Sequence, residues 1–99
     1  MTIPELESLF DKHEEEFLKF DRIPHPLRRS NRPDIHLFLL LDEMFPDDKD
    51  MISDASHDEI CLSIDGEKFA TQVTESRLVA MIRCGLRWDE EFQSLCMFV

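Results

Sequence analysis

Between Asp34 and Phe45 the chain reads Asp-Ile-His-Leu-Phe-Leu-Leu-Leu-Asp-Glu-Met-Phe, eight large apolar side chains in twelve residues. So dense a run has to be withdrawn from water, and whatever else folds must help to cover it. Ile35 to Leu41 would suit a buried strand as well as a buried helix, because a short apolar run carries no diagnostic period. The composition favours helix: leucine dominates, one residue is β-branched and glycine is absent. The flanks agree. Asn31 is a candidate cap, Pro33 suits a first turn, Asp34 suits the positive end of the dipole, and Pro46 cannot continue a helix. At about 100° per residue, Ile35, Leu37, Phe38, Leu39, Leu40, Leu41, Met44 and Phe45 wrap most of the circumference. Arg32, His36 and Glu43 share one narrow polar stripe. A helix apolar nearly all round is expected to be covered on several sides.

The other elements follow from spacing. Thr2 and Glu5 stand at capping-box distance with Pro4 in the first turn, which predicts a first helix from Thr2 to Phe20. Leu6, Leu9, Phe10, His13, Phe17 and Phe20 fall on its core arc, with Glu7, Asp11, Glu14 and Glu15 opposite, facing water. Asp21 to Pro33 is a proline-rich connector, and its four arginines against Asp21 leave it at +3. Pro46 to Glu59 reads as a polar loop. Ile60 to Ile64 alternates as a strand does. Asp65-Gly66 is a hairpin signal, but Phe69, Ala70 and Val73 also fit a short helix from Gly66 to Gln72 capped by Asp65, the preferred reading. Thr74 caps a further helix to Cys84 that buries Leu78, Val79, Met81 and Ile82, and Gly85 ends it. Leu86 to Asp89, the acidic turn at Glu90 and Glu91, and a covered strand from Ser94 to Val99 close the chain. The order helix, helix, strand, helix, helix and one or two strands predicts one small α+β domain of 99 residues, its central buried helix packed on a small sheet.

Charge limits the function. The net charge of −11 argues against direct nucleic-acid binding, which needs basic surface, and against docking on anionic membranes. No run approaches the ~20 apolar residues of a membrane span, and the start of the chain lacks the basic and apolar regions of a signal peptide. Three cysteines without a Cys-x-x-Cys motif suggest reduced thiols and a cytoplasmic protein. The acids are segregated: from Asp34 to Glu59 there are nine, against Lys49 alone.

No catalytic motif survives inspection. His13 is expected to be a buried, hydrogen-bonded histidine, and His25 an exposed one. Seven helical residues, about 10.5 Å, separate His36 from Glu43, too far for a base and its orienting carboxylate. Ser56-His57-Asp58 imitates a triad only in writing, since adjacent extended residues point opposite ways. Asp47, Asp48, Asp50, Asp54, His57, Asp58 and Glu59 offer oxygen and nitrogen ligands, but the loop lacks the glycine and alternation of an EF-hand. Cys61, Cys84 and Cys96 lie in apolar segments and read as small hydrophobes. Cys96-Met97-Phe98-Val99 has the spacing of a prenylation box, but the segment before it is acidic rather than polybasic. Arg28-Arg29-Ser30-Asn31-Arg32 either folds against the chain's own acids or meets a partner.

Ser53-Asp54-Ala55-Ser56-His57-Asp58-Glu59-Ile60, Arg83-Cys84-Gly85-Leu86-Arg87-Trp88-Asp89-Glu90-Glu91-Phe92 and Leu95-Cys96-Met97-Phe98-Val99 together resemble small uncharacterised proteins of bacteria and their phages. The resemblance covers about half the chain and implies a microbial source. It implies no activity and no site residue.

The leading expectation is a non-enzymatic protein-interaction or regulatory module without a cofactor, docking a partner with a basic surface. Glu7, Asp11, Glu14 and Glu15 form one candidate face; Asp47, Asp48, Asp50, Asp54 and Asp58 form another. Two alternatives stand beside it: an acidic mimic of nucleic acid that occupies a DNA- or RNA-binding protein, and a small metal-dependent hydrolase using the Asp47–Glu59 loop. A homo-oligomer is also open.

Overall fold

A computed structural model describes residues 1–98. Its elements are α1 (Ile3–Lys12), α2 (Pro33–Met44), β1 (Ile52–Ser56), β2 (Glu59–Leu62), α3 (Gly66–Gln72), α4 (Glu75–Arg83), β3 (Leu86–Asp89) and β4 (Ser94–Phe98). The strands form one antiparallel sheet in the order β1-β2-β4-β3. The chain is therefore an α+β domain, as the pattern predicts, with one strand more.

α1 begins as expected. The Thr2 hydroxyl accepts from the Glu5 amide at 3.3 Å, and the Glu5 carboxylate accepts from the Thr2 amide at 3.1 Å. It ends at Lys12, not at Phe20. The chain turns through a 3-10 segment, Glu14–Glu16, and Leu18 takes a left-handed φ of 63°. Contacts with α4 compete with further helix. His13 Nε2 lies 2.8 Å from Glu75, Arg83 donates to Glu16 at 2.8 Å, and the Leu18 amide donates to the Ile82 carbonyl. These three bonds tie the segment after Lys12 to α4 in place of further helix.

α2 has the expected length, but Arg32 rather than Asn31 stands at its N-cap and gives no side-chain bond. Two further expectations fail there. Leu37, Leu41 and Phe45 enter the core, whereas Ile35 and Leu39 are 39% and 43% exposed. His36, assigned to a polar stripe, is only 2% exposed. The helix lies at the margin of the core and joins it through long side chains rather than close backbone packing. The helix is covered along an arc from His36 through Leu37 and Leu41 to Phe45 and left open at Ile35 and Leu39, so it is buried over part of its circumference and not nearly all round.

The segment Pro46 to Glu59 is not all loop, since β1 lies within it. β1 is an edge strand exposed along its whole length, so it shows no apolar alternation. Pairing with β2 holds it, with Ser53 Oγ donating to the Cys61 carbonyl and Ser63 Oγ to the Asp50 carbonyl. His57, at φ 24°, turns the hairpin.

α3 and α4 match their caps: Asp65 accepts from the Lys68 amide at 3.1 Å and Thr74 from the Arg77 amide at 3.3 Å. Gly85, at φ 104°, ends α4 in the left-handed conformation. Leu62, Leu86, Trp88, Leu95 and Met97 carry the inner sheet face into a core shared with Leu6, Leu37, Leu41, Phe69, Leu78 and Met81. The residues between them, Glu59, Cys61, Arg87, Asp89, Ser94, Cys96 and Phe98, alternate to the outer face. β4 is accordingly not apolar and covered throughout: Phe98 is half exposed, and Val99 lies outside the described residues.

Candidate functional site

The first acidic group borders a groove of about 470 Å³ between α1, the Glu14–Glu16 turn and β3. Its floor is aromatic and aliphatic, from Phe10, Phe17, Ile82, Leu86 and Trp88; Glu7, Asp11, Glu14, Glu15 and Glu90 supply carboxylates and Arg87 the one cation among the described residues. Sequence spacing sets the acids and Phe10 on different sides of α1. Glu14, Glu15 and Phe17 join Glu7, Phe10 and Asp11 at one groove because the chain turns after Lys12. Glu7 is not simply a solvent-facing acid: it is half-buried and accepts the Trp88 indole N–H at 3.0 Å. Phe10 stacks on Trp88, centroids 6.3 Å apart and planes 27° apart.

Several neighbours fix Trp88. A Cβ on Gly66 would stand 2.8 Å from the indole, so the absent side chain is what allows the ring to lie there. β3 is the edge strand at this end of the sheet, so the groove runs along an edge without a strand partner. The nearby Arg83 hydrogen bond holds the Glu16 carboxyl below its usual range against the opposing effect of burial, and Arg22 adds to it. Glu16 is thereby committed to the protein's own cations, while Asp11, Glu14 and Glu15 are exposed and form no ion pair among the described residues.

The second acidic group faces solvent throughout. Asp47, Asp48, Asp50, Asp54 and Asp58 are all exposed. Asp47 accepts from the Lys49 amide at 3.0 Å and borders a cleft of about 280 Å³ with Asp42, Lys49 and Lys68. Asp54 stands on β1 and Asp58 in the following turn. Among the described residues, no three carboxylates or histidines of the Asp47–Glu59 loop converge at metal-ligand distance; Glu59, Cys61 and Cys96 alone do so.

The remaining candidates have structural partners. His13 bonds Glu75, and that bond, with Lys12 behind it, keeps the Glu75 carboxyl below its usual value. His36 Nδ1 accepts the Arg29 amide at 3.0 Å, and burial, then Arg29 and Arg28, push its pKa down. The basic connector folds against the chain's own residues: Arg28 donates to the Ile23 carbonyl and lies over the Phe20 ring, Arg29 pairs with Glu43, and Arg22 pairs with Glu16. Burial alone pushes the Cys84 thiol up to about 12. No protein-family model, curated protein or solved structure matches the chain.

The acids that border the groove are visible in the sequence, and its floor is not. Spacing places Phe10 and Phe17 on the core arc, where they do pack in part, and nothing in it links them to Trp88. The signal available was weak: two aromatics interleaved with five glutamates and aspartates between Glu7 and Phe17.

Proposed function

We propose that the chain is a non-enzymatic docking module whose groove receives a basic segment of a partner protein. The observation that carries this reading is the combination of unpaired carboxylates with an aromatic floor beside a strand edge. Aromatic faces attract a guanidinium or ammonium by about 0.5–2 kcal/mol, more where water is excluded. Asp11, Glu14 and Glu15 add a directed field, and the net charge of −11 speeds encounter with any cationic partner. A single arginine gains too little to bind stably against the entropy of association, so the occupant is a segment with several basic residues.

Trp88 is the chain's one tryptophan, which makes its fluorescence a direct reporter. Titration with a hexa-arginine peptide is expected to change that fluorescence saturably, with affinity falling as salt rises. Changing Asp11, Glu14 and Glu15 together to lysine should abolish the signal, while the same change at Asp47, Asp48 and Asp50 should leave most of it. A response equal in both variants would mean diffuse charge attraction, and the groove assignment would be wrong.

A further inference from the structure

Cys61 on β2 and Cys96 on β4 are direct partners in the antiparallel register. Opposed residues in such a ladder have Cα atoms about 4.5 or 5.5 Å apart, and disulfides bridge Cα separations of about 4.4–6.8 Å. Both side chains alternate to the outer sheet face, and their sulfurs lie within 4.8 Å of each other. Both thiols are free. Cys96 is fully buried yet stands apart from the hydrophobic core. Arg87 is its register neighbour on β3; its guanidinium pairs with Glu59 on β2 and lies 4.8 Å over the Phe98 ring.

We infer that Cys61 and Cys96 are an oxidisable pair that closes to an intramolecular disulfide across β2 and β4 when the protein meets a small-molecule disulfide. Cys61 is the more exposed thiol and reacts first. Its thiolate attacks one sulfur of the oxidant, the oxidant's S–S bond breaks, and one small thiolate leaves. Cys96 then gives up its proton and attacks the Cys61 sulfur of the mixed disulfide. The bond to the small thiol breaks, the Cys61–Cys96 bond forms, and a second small thiol leaves. The two protein thiols lose two electrons, which reduce one disulfide to two thiols.

A soft metal ion is the rival occupant, because Glu59 completes a three-donor group with the two sulfurs. Glu59 is already engaged by Arg87, so a cation there would displace or face a guanidinium, and the donors fall short of the four that close a structural zinc site. Bridge formation needs no such displacement. The Cys61 thiol is pushed up to about 11, chiefly by its hydrogen bond with Cys96 and then by burial. Closure is therefore slow at neutral pH and accelerates as pH rises.

The full chain, freshly reduced, is equilibrated with oxidised and reduced glutathione at pH 8, trapped with an alkylating reagent, and mapped by peptide mass spectrometry without reduction. The expected result is loss of two thiols, a peptide joining Cys61 to Cys96, no retained glutathione, and Cys84 alkylated only after denaturation. Cys84→Ala should behave alike, and Cys96→Ser should stop at a glutathione adduct on Cys61. Oxidation should also raise the Tm reversibly by on the order of 10 °C, a shift absent in Cys61→Ser. Persistence of all three thiols under glutathione disulfide alone, a bridge to Cys84, or a link between two chains would overturn the assignment.

Discussion

Trp88 donates its indole N–H to Glu7 Oε2 at 3.0 Å, joining β3 to α1 across 81 positions of sequence. The bond also orients the ring against Phe10 and so shapes the groove floor. Removing the acceptor leaves a mostly buried donor unpaired, which costs about 1–3 kcal/mol. Glu7→Ala is therefore expected to lower stability by about that much in urea unfolding, and Glu7→Gln, which keeps an acceptor, by clearly less. Equal losses in the two variants would show that the acid contributes through charge or packing instead.

Gly66 gives the indole its space. Adding a methyl group there meets Trp88 at 2.8 Å and the Gln93 carbonyl at 3.0 Å. A rigid ring and a backbone oxygen yield poorly, so Gly66→Ala should cost about 1–3 kcal/mol despite the higher helix propensity of alanine. The Trp88 emission maximum should move as the ring is displaced, and an unchanged spectrum with unchanged stability would contradict this packing.

Gly85 is constrained differently. Its φ of 104° is unfavourable for any side chain, and a Cβ would also lie 3.0 Å from a Leu18 methyl. Leu18 holds its own left-handed turn there, so the two strained positions meet. Gly85→Ala should destabilise by about 1–2 kcal/mol, read from the urea midpoint. Adding Leu18→Ala would relieve the clash but not the backbone strain, so only part of the loss should return.

Acid should weaken the fold in two stages. His36 is neutral in the native state, and burial, then Arg29 and Arg28, hold its pKa below the ordinary 6.5. The unfolded chain therefore binds the proton more readily, so the stabilisation is complete above about pH 6.5 and declines as pH falls through the native value. Glu5, Glu16 and Glu75, each lowered from 4.5 by hydrogen bonds and nearby cations, add a second loss at lower pH. An imidazole titration of His36 by NMR should give a midpoint below 6.5; a higher midpoint would refute the first stage.

Local chemistry determined much of this protein. The capping box at Thr2 and Glu5, the caps at Asp65 and Thr74, and the left-handed stop at Gly85 are short-range devices, so each was legible and each stands where its residues put it. The acidic composition was legible too, and so were the four carboxylates of α1 and its turn that border the groove. Three matters were decided only by tertiary structure. α1 stops at Lys12 because His13, Glu16 and Leu18 find partners on α4. α2 is left open at Ile35 and Leu39 because no neighbouring element reaches them, and a run of leucines does not say how many neighbours will. β1 is invisible in sequence because an edge strand is held by its ladder and not by buried side chains. The groove floor and the facing cysteines belong with these. Both depend on strand register and on residues far apart in the chain meeting, and neither leaves a period in the sequence.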